Sequence, residues 1–265
     1  MSEGPSLMGV VNVTPDSFSD GGLFLDPDRA VAHGRELARE GAAILDVGGE
    51  STRPGAEPVT AAAERERVVP VIAGLRDSGA EISVDTSKAE VAEAALDAGA
   101  TIVNDVTALS ASPEIAPLCA DRGATLVLMH MQGNPRTMQE NPVYEDVVGD
   151  VKAFLEERVG RAVAAGVAEG RIWVDPGIGF GKTLEHNLEL LHRLGELAEL
   201  GRPIVVGTSR KSFIAKVDGS EVGDRLGGSL ASAVLAWANG ASVLRVHDVA
   251  ATDEAIRVAQ AILRS

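Results

Sequence analysis

Polar and ionisable residues recur in this chain where short apolar runs end. The residues at these run ends are Asn12, Asp46, Asp85, Asn104, His130, Asp175, Ser209, Arg245 and His247. Their side chains can bind a polar ligand through charge and directed hydrogen bonds. Any single Asp or Asn among them can equally cap a helix, but the whole set together favours a catalytic or binding site.

A cationic cluster is predicted after the seventh and eighth runs. The segment Gly207–Ser212 precedes a helical pattern, and Arg245 and His247 alternate on one strand and so point the same way. The corresponding loops of α/β barrels commonly hold phosphate, because helix N-terminal N–H groups and cations converge there. Lys211, Arg245 and His247, with Arg53 as a further candidate, therefore predict a pocket for phosphate or pyrophosphate.

Eight apolar runs alternate with helical patterns and must position these residues. The predicted strands are Leu7–Val13, Ala43–Gly48, Glu81–Asp85, Thr101–Val106, Thr125–His130, Arg171–Asp175, Ile204–Ser209 and Ser242–His247. The predicted helices are Pro27–Glu40, Ala61–Ser78, Lys88–Ala98, Pro113–Asp121, Tyr144–Ala168, Leu184–Leu200, Gly223–Gly240 and Thr252–Leu263, with another starting near Phe213. Such alternation predicts βαβ units and a parallel sheet whose strands are covered on both faces.

The repeat number and the length of 265 residues predict the α/β fold class, a (β/α)8 TIM barrel as a single domain over residues 1–265. Such barrels have about 250 residues, and the carboxyl ends of their strands meet at one face, where the chemistry is placed. A doubly wound open sheet is the alternative. Asp175–Thr183 fails the P-loop pattern at Pro176 and the dinucleotide pattern at Lys182. It is interpreted as a tight turn that positions Asp175 and Lys182.

Two long loops follow the first and second strands and are dense in Gly, Pro, Ser and Asp. They span Asn12–Gly22 and Gly48–Gly55 and cannot pack a core of their own. Each carries one residue that a plain turn does not need, Phe18 in the first and Arg53 in the second. This favours lids that fold over a ligand, with packing on the barrel rim as the alternative.

Composition argues against several classes of partner and site. The formal charge of −15 and the aromatic content of 3% disfavour nucleic acid and anionic membranes. Cys119 is the single cysteine, so a small buried role is favoured over a nucleophile. Histidine spacing does not suggest a binuclear zinc hydrolase, whereas a hard cation held by Asn12 and ligand phosphate oxygens would suit magnesium. The first residues do not resemble a secretory signal, and a cytoplasmic location is expected.

Seven motifs run through the chain between residue 7 and about residue 250. They are Asn-Val-Thr-Pro-Asp-Ser-Phe-Ser-Asp-Gly-Gly (12–22), Asp-Val-Gly-Gly-Glu-Ser-Thr-Arg-Pro-Gly (46–55), Ser-Val-Asp-Thr-Ser-Lys (83–88), Leu-Met-His-Met-Gln-Gly-Asn-Pro (128–135), Asp-Pro-Gly-Ile-Gly-Phe-Gly-Lys (175–182), Ser-Arg-Lys-Ser (209–212) and Arg-Val-His-Asp-Val (245–249). In this order they resemble the dihydropteroate synthase family.

The resemblance implies a transferase of folate biosynthesis that joins a dihydropterin methyl diphosphate to p-aminobenzoate and releases pyrophosphate. The residues it implies for the pterin are Asp85, Asn104, Asp175 and Lys211, with Phe180 as a further substrate contact. Those implied for the diphosphate and its magnesium ion are Asn12, Thr52, Arg245 and His247. Those implied for p-aminobenzoate, once the loops close, are Phe18, Thr52, Arg53, Pro54 and Ser209.

The chemistry expected from this resemblance is a dissociative substitution without an enzyme nucleophile. Departure of diphosphate builds positive charge on the pterin methylene, and magnesium and cationic side chains stabilise the departing anion. Asp20 is expected to help shield the cation from water. The catalytic residues implied are Asp20, Asp85, Lys211, Arg245 and His247.

Two positions depart from the family pattern, since Ile178 stands where Phe is frequent and Thr208 where Met is common. Both adjoin expected ligand residues and bear on pocket shape. Two rival functions are a pterin-binding methyltransferase domain of the same superfamily and a diverged, non-catalytic binding protein. The resemblance also suggests a homodimer, and Gly223–Gly240 and Thr252–Leu263 are apolar enough to meet a two-fold partner.

Overall fold

The computed structural model describes residues 4–14, 26–51, 56–133 and 137–264. Its strands are β1 (Ser6–Asn12), β2 (Ile44–Gly48), β3 (Glu81–Asp85), β4 (Ile102–Asp105), β5 (Thr125–Met129), β6 (Ile172–Asp175), β7 (Val205–Val206) and β8 (Val243–Val246). Its helices are α1 (Pro27–Arg39), α2 (Ala61–Leu75), α3 (Ala89–Ala98), α4 (Ile115–Arg122), α5 (Val147–Ala164), α6 (Leu184–His192), α7 (Ser212–Asp218), α8 (Leu226–Ala238) and α9 (Val249–Arg264).

The eight strands of the described residues are all parallel and form one sheet. Their spatial order is β6-β5-β4-β3-β2-β1-β8-β7, so each strand pairs with the next one along the chain except at the two ends. The ends meet where a β-bridge joins Val174 to Ile204 and the Val174 amide donates to the Pro203 carbonyl at 3.0 Å. The predicted (β/α)8 barrel is therefore confirmed. Its least extensive strand pairing lies at the seam between β6 and β7, where a single bridge joins them.

Helix starts are set by side chains that accept a backbone N–H in the first turn. Asp26 caps α1, Thr60 caps α2, Asp146 caps α5 and Thr183 caps α6. The cap at Asp146 explains why α5 begins three residues later than the apolar pattern starting at Tyr144 predicts.

Beyond shifts of a few residues at helix ends, two predicted elements differ from the structure. The helix predicted over Leu184–Leu200 ends at His192, and Leu194–Leu200 forms a 3-10 segment in which Gly195 weakens α-helical propensity. The predicted strand Ile204–Ser209 is reduced to Val205–Val206, with Ile204 forming a single bridge to Val174. The predicted start of a helix near Phe213 agrees with α7.

The barrel interior is layered along the strand direction. Alternate residues of a strand face the same side, and the lower interior layer is an apolar cluster of Met8, Ile44, Ile102, Val127, Val205 and Val243. Two or four residues further along several of these strands, the inward positions become polar, as at Asn12, Asp46, Asn104 and Arg245. An apolar plug therefore lies beneath a polar layer at the carboxyl ends of the strands.

The larger apolar cluster lies between the strands and the surrounding helices. Cys119 belongs to it, and burial raises the pKa of its thiol to about 12. This agrees with the structural role predicted for Cys119. In the portion of the chain that the structure describes, no helix combines the length and apolar character that crossing a bilayer requires.

Candidate active site

Arg245 lies at the centre of the polar layer, between two carboxylates. Its Nε donates to Asp46 Oδ2 at 2.6 Å and its Nη2 donates to Asp85 Oδ2 at 2.9 Å. Asn104 Nδ2 donates to the same Asp46 oxygen at 3.2 Å. β8, β2, β3 and β4 thus bring four side chains into one hydrogen-bonded group, which we call the arginine cluster (Arg245, Asp46, Asp85 and Asn104).

The arginine cluster shifts the ionisation of its members. Burial raises the pKa of Asp85 to about 7, although the nearby Arg245 charge opposes this shift. Burial works against the charged form of Arg245, but Asp46 and Asp85 outweigh it and raise the pKa of its guanidinium. Arg245 is therefore a permanent cation, while Asp85 changes charge near neutral pH.

Asp175 ends β6 on the opposite side of the barrel mouth and begins a tight turn. Its Oδ1 accepts the Gly177 N–H at 2.7 Å. Gly177 has a φ of 68°, and a Cβ there would overlap the His130 carbonyl oxygen, so only glycine fits this approach. Burial raises the pKa of Asp175, partly offset by the charge of Lys211. The tight turn predicted for this segment is present.

Lys211 precedes α7 and reaches across to this turn. Its Nζ donates to the Ile178 carbonyl oxygen and lies 4.6 Å from the centre of the Phe180 ring. Burial lowers the pKa of Lys211 to about 8, although Asp175 favours its charged form. Lys211 and Phe180 are therefore placed beside Asp175, with an ammonium group held by a carbonyl and an aromatic face.

Lys182 is a second buried amine behind the turn. Its side chain is 1% exposed, and its Nζ contacts His130 Nδ1 at 2.9 Å and the Phe180 carbonyl at 3.0 Å. Burial lowers the pKa of Lys182 to about 7, and burial together with Lys182 lowers the pKa of His130 to about 3. His130 is thus a neutral acceptor that fixes the turn to the end of β5. We call His130, Lys182, Asp175 and Lys211 the turn cluster.

Ser209 and His247 meet at the ends of the last two strands. Ser209 Oγ lies 3.0 Å from His247 Nδ1 and accepts the His247 backbone N–H at 3.2 Å. This contact leaves the other ring nitrogen, Nε2, on the far side of the imidazole. Arg210, between Ser209 and Lys211, adopts a φ of 58° and pairs with Asp248 at 2.6 Å.

Asn12 ends β1 and is half-buried at the same mouth. A Cβ at Gly48 would lie 3.8 Å from Asn12 Oδ1 and 3.5 Å from Asp85 Cβ, so Asn12 adjoins the arginine cluster. Among the described residues, no group of three or more His, Cys, Asp or Glu side chains is arranged to hold a metal ion. A cation here would depend on Asn12 together with oxygens supplied by a ligand or by water.

Five predicted site residues lie outside the described residues. They are Phe18 and Asp20 of the first long loop and Thr52, Arg53 and Pro54 of the second. The base of the second loop is described: Glu50 Oε1 accepts the Val59 N–H at 2.9 Å, and Lys88 pairs with both Glu50 and the buried Glu64. Burial opposes the charge of Lys88, but these two carboxylates raise its pKa.

The structure brings together Asn12, Asp85, Asn104 and Arg245 on one side of the mouth and Asp175, Phe180 and Lys211 on the other. Sequence reasoning counted Asp46 among the polar strand ends without giving it an individual role, and gave no role to Glu64 or Lys88. Asp46 carried a signal as a strand-end Asp, but its partner Arg245 is 199 residues away. Glu64 and Lys88 sit in helical patterns that give no sign of burial.

Three comparisons identify the family. A sequence model described as pterin binding enzyme matches residues 8–247. The dihydropteroate synthase of Escherichia coli K12 is 48% identical over 260 residues, which cover 98% of this chain and 92% of that protein.

Solved structures agree over almost the whole chain. Xanthomonas albilineans dihydropteroate synthase with 4-aminobenzoic acid has a TM-score of 0.92 and 48% identity, covering 99% of this chain and 94% of that one. The same enzyme in complex with 7,8-dihydropteroate has a TM-score of 0.89 and 45% identity, covering 99% and 95%. The resemblance drawn from the seven motifs is therefore confirmed: this chain belongs to the dihydropteroate synthase family of pterin binding enzymes.

Proposed function

We propose that the barrel mouth joins (7,8-dihydropterin-6-yl)methyl diphosphate to 4-aminobenzoate and gives 7,8-dihydropteroate and pyrophosphate. Membership of the family makes the chain a pterinylmethyl transferase of folate biosynthesis. The observation that carries the proposal for this chain is the pairing of two clusters at one mouth. One offers a guanidinium with free N–H donors, and the other offers a buried carboxylate beside an ammonium and an aromatic ring.

The pterin is assigned to the space between Asp175 and Asn104. The free oxygen of Asp175 can accept paired N–H donors of the pterin ring edge, a geometry that suits a carboxylate. Asn104 is fixed by its bond to Asp46, and Asp85 adds an acceptor when ionised. Lys211 Nζ lies 4.6 Å from the centre of the Phe180 ring, so these residues supply a cation and a ring face beside the same space.

The diphosphate is assigned to Arg245, His247 and Lys211. Arg245 keeps its charge at every relevant pH, because Asp46 and Asp85 stabilise it. Its remaining N–H groups suit phosphate oxygens, since a guanidinium binds them in a planar, forked geometry. Thr52, in the undescribed loop segment, belongs to the same assignment. These cations would stabilise the negative charge that develops on the leaving group.

A magnesium ion is proposed as the cofactor, with Asn12 as its protein ligand. The donor set is compatible, since the Asn12 amide supplies a hard oxygen ligand and magnesium is usually bound by few protein groups together with substrate phosphate oxygens and water. Asn12 Oδ1 lies at the strand end nearest the arginine cluster, next to Gly48. When bound, the ion would neutralise charge on the diphosphate oxygens.

The reaction we propose is a dissociative substitution. The bond from the pterin methylene carbon to the diphosphate oxygen breaks first, the amine nitrogen of 4-aminobenzoate then bonds to that carbon, and one amine proton is lost. The residues proposed for the 4-aminobenzoate pocket are Phe18, Thr52, Arg53, Pro54 and Ser209, while Asp20 shields the cation from water. Positional isotope exchange within the diphosphate, with an unreactive aniline analogue present, is expected; no exchange would contradict a cationic intermediate.

Assembly as a homodimer in the cytoplasm is part of the same proposal. Apolar side chains are exposed on two adjacent helices: Leu226 and Leu235 on α8, and Val258, Ile262 and Leu263 on α9. Leu226 and Leu235 are nine residues apart and so lie on opposite sides of α8. The face that suits a second copy of the chain is therefore formed by Leu235 together with the exposed residues of α9. A sedimentation measurement on the protein and on Leu235→Glu is expected to show a dimer and a monomer, respectively. The biosynthetic role of the family supports the cytoplasmic location.

Pyrophosphate release is the measurement that tests the proposed function. Release is expected only when the pterin diphosphate, 4-aminobenzoate and magnesium are all present, with equimolar 7,8-dihydropteroate formed. Release from the pterin diphosphate alone would indicate a hydrolase, and no release at all would indicate a binding protein. A methyltransferase domain of the same superfamily would bind the pterin without releasing pyrophosphate.

A further inference from the structure

We propose that Asp46 is a positioning residue that couples the pterin subsite to the diphosphate subsite through one carboxylate oxygen. The inference rests on the proposed function, because the two subsites are the ones assigned above to Asn104 and Arg245. Asp46 itself contacts both residues and is fully buried, with 0% exposure.

The first step of the argument concerns Asn104. Asp46 Oδ2 accepts the Asn104 Nδ2 donor at 3.2 Å, and an ionised carboxylate only accepts hydrogen bonds. The amide nitrogen must therefore face Asp46, and the amide oxygen is left to accept from a ligand. Without this acceptor the amide is free to rotate by half a turn and to present a donor where the ligand needs an acceptor.

The second step concerns Arg245. The same Asp46 oxygen accepts its Nε donor at 2.6 Å, while Asp85 accepts from Nη2 at 2.9 Å. A guanidinium has five N–H donors in a fixed plane. Two of them are used, and the plane of the other three is set by the two carboxylates. Asp46 therefore decides in which direction Arg245 presents its remaining donors to a diphosphate.

The third step is that one atom serves both side chains. Because Asp46 Oδ2 accepts from both Asn104 and Arg245, a displacement of this oxygen shifts the hydrogen-bond acceptor of both side chains at once. The other Asp46 oxygen, Oδ1, is buried and has no hydrogen-bond partner among the described residues. Retaining a carboxylate with one unsatisfied oxygen in the barrel interior is costly, which is understandable if its paired oxygen organises two subsites.

Two variants separate hydrogen-bond acceptance from charge. Asp46→Leu removes the acceptor and the charge while keeping the branched shape and number of heavy atoms, and Arg245 keeps Asp85 as its counter-ion. Asp46→Asn removes the charge but allows an amide oxygen to accept from both partners, with its NH2 group placed where Oδ1 has no partner. The matched control is Ser83→Ala, because Ser83 pairs with Asp46 in the β2–β3 register and is also buried with an unpaired Oγ.

The measurements are the affinities for 7,8-dihydropteroate and for pyrophosphate by calorimetry, together with the KM values for both substrates. We expect Asp46→Leu to weaken both affinities about 10- to 100-fold and to raise the KM for the pterin diphosphate, with the KM for 4-aminobenzoate unchanged. Asp46→Asn is expected to weaken the same two affinities to a smaller extent, because hydrogen bonds to a neutral acceptor are weaker. Ser83→Ala is expected to bind both ligands normally.

Several results would overturn the inference. One is normal binding of both ligands by Asp46→Leu, even if its thermal stability falls. Another is an equal loss in Ser83→Ala, which would indicate a general packing effect. If Asp46→Leu does not fold, Asp46→Asn decides the matter, and unchanged affinities would contradict the coupling. A native protein that releases no pyrophosphate would instead contradict the proposed function, so the two failures are distinguishable.

Discussion

The two sides of the barrel mouth hold charge in different ways. In the arginine cluster a cation contacts two carboxylates directly, at 2.6 and 2.9 Å. In the turn cluster the Nζ atoms of Lys211 and Lys182 contact carbonyl oxygens and an imidazole, while Asp175 accepts a backbone N–H. Opposite charges are therefore paired on one side and only neighbouring on the other.

This difference is reflected in the ionisation of the cations, since Asp46 and Asp85 raise the pKa of Arg245. Burial raises the pKa of a carboxyl group on both sides, at Asp85 and at Asp175. Burial lowers the pKa of Lys211 to about 8 and that of Lys182 to about 7, while burial raises the pKa of Asp175. Each of these groups is thus less stable in its charged form than it would be in water. The arginine cluster is nearly complete without a ligand, whereas the turn cluster has charges that a ligand with complementary donors and acceptors would stabilise. We therefore expect the arginine cluster to contribute more to the stability of the fold, and the turn cluster to gain more when a ligand binds.

The largest effect is expected when the cation of the arginine cluster is removed. Arg245→Met leaves Asp46 and Asp85 buried without a counter-ion, and we expect the free energy of unfolding to fall by about 3–5 kcal/mol. Lys211→Met is the matched variant, because it removes a buried cation that touches no carboxylate; its unfolding free energy is expected to stay unchanged or to rise. Urea denaturation of both variants checks this. Equal losses of stability in the two variants would show that the two sides do not differ.

The second effect concerns ligand binding on the turn side. Asp175→Asn keeps an oxygen for the Gly177 N–H but loses the charge that would face the pterin. We expect affinity for 7,8-dihydropteroate to fall by about 1.5–3 kcal/mol, with little change in the free energy of unfolding. Calorimetric titration at a fixed pH measures the affinity. Unchanged binding would remove Asp175 from the pterin subsite.

The third effect uses pH to compare the two sides. Asp85 loses its proton as pH rises through about 7, and Lys211 loses its own through about 8. If the carboxylate and the ammonium are the active forms, kcat/KM for the pterin diphosphate rises through the first pKa and falls through the second. The slope is at most tenfold per pH unit for each group. A flat profile between pH 6 and 9 would contradict both assignments.

The acid limb of this profile has a further test in Asp46→Asn. After burial, the charges that act on Asp85 come from Arg245 on β8, Asp46 on β2, Glu64 on α2 and Asp105 on β4. Arg245 lowers the pKa of Asp85, and the three carboxylates raise it. Removing the charge of Asp46 is therefore expected to move the acid limb to lower pH, with the alkaline limb in place.

The smallest effect concerns the helix cap at Thr183, which is expected to contribute to stability but not to activity. Thr183 Oγ1 accepts the His186 N–H at 3.2 Å, and His186 Nδ1 accepts the Thr183 N–H at 3.2 Å, which closes the turn at the start of α6. Thr183→Ala is expected to lower the free energy of unfolding by about 1 kcal/mol, with kcat/KM unchanged. A large loss of activity would mean that the cap sets the geometry of the site.

Much of the fold was predictable because each strand carries its own local signal. Continuous apolar runs such as Thr125–Met129 are buried on both faces, and a polar residue at the end of a run marks the mouth. β7 was predicted too long, since the strand ends at Val206, where the apolar residues also end, and not at Ser209. The 3-10 segment over Leu194–Leu200 was also missed, because α and 3-10 conformations bury similar residues.

The site was predictable in its members but not in their pairing. The sequence indicates that Asp46, Asp85 and Arg245 share one mouth, but not which carboxylate meets Nε and which meets Nη2. These contacts span 199 and 160 residues and depend on closure of the whole barrel. Lys182 was expected to be positioned by its turn, whereas its bond to His130 depends on how β5 and β6 pair.

The seam between β6 and β7 gives the turn side one more property. Val174 and Ile204 form a single bridge there, while β1 and β2 pair over five positions. Asp175 ends β6 on one side of this seam, and Lys211 follows β7 on the other side. A ligand bound by both residues would link β6 and β7, the neighbouring strands that share only one β-bridge among the described residues. Hydrogen exchange at the Val174 and Val205 amides would then slow when the ligand binds, because β6 and β7 would separate less often.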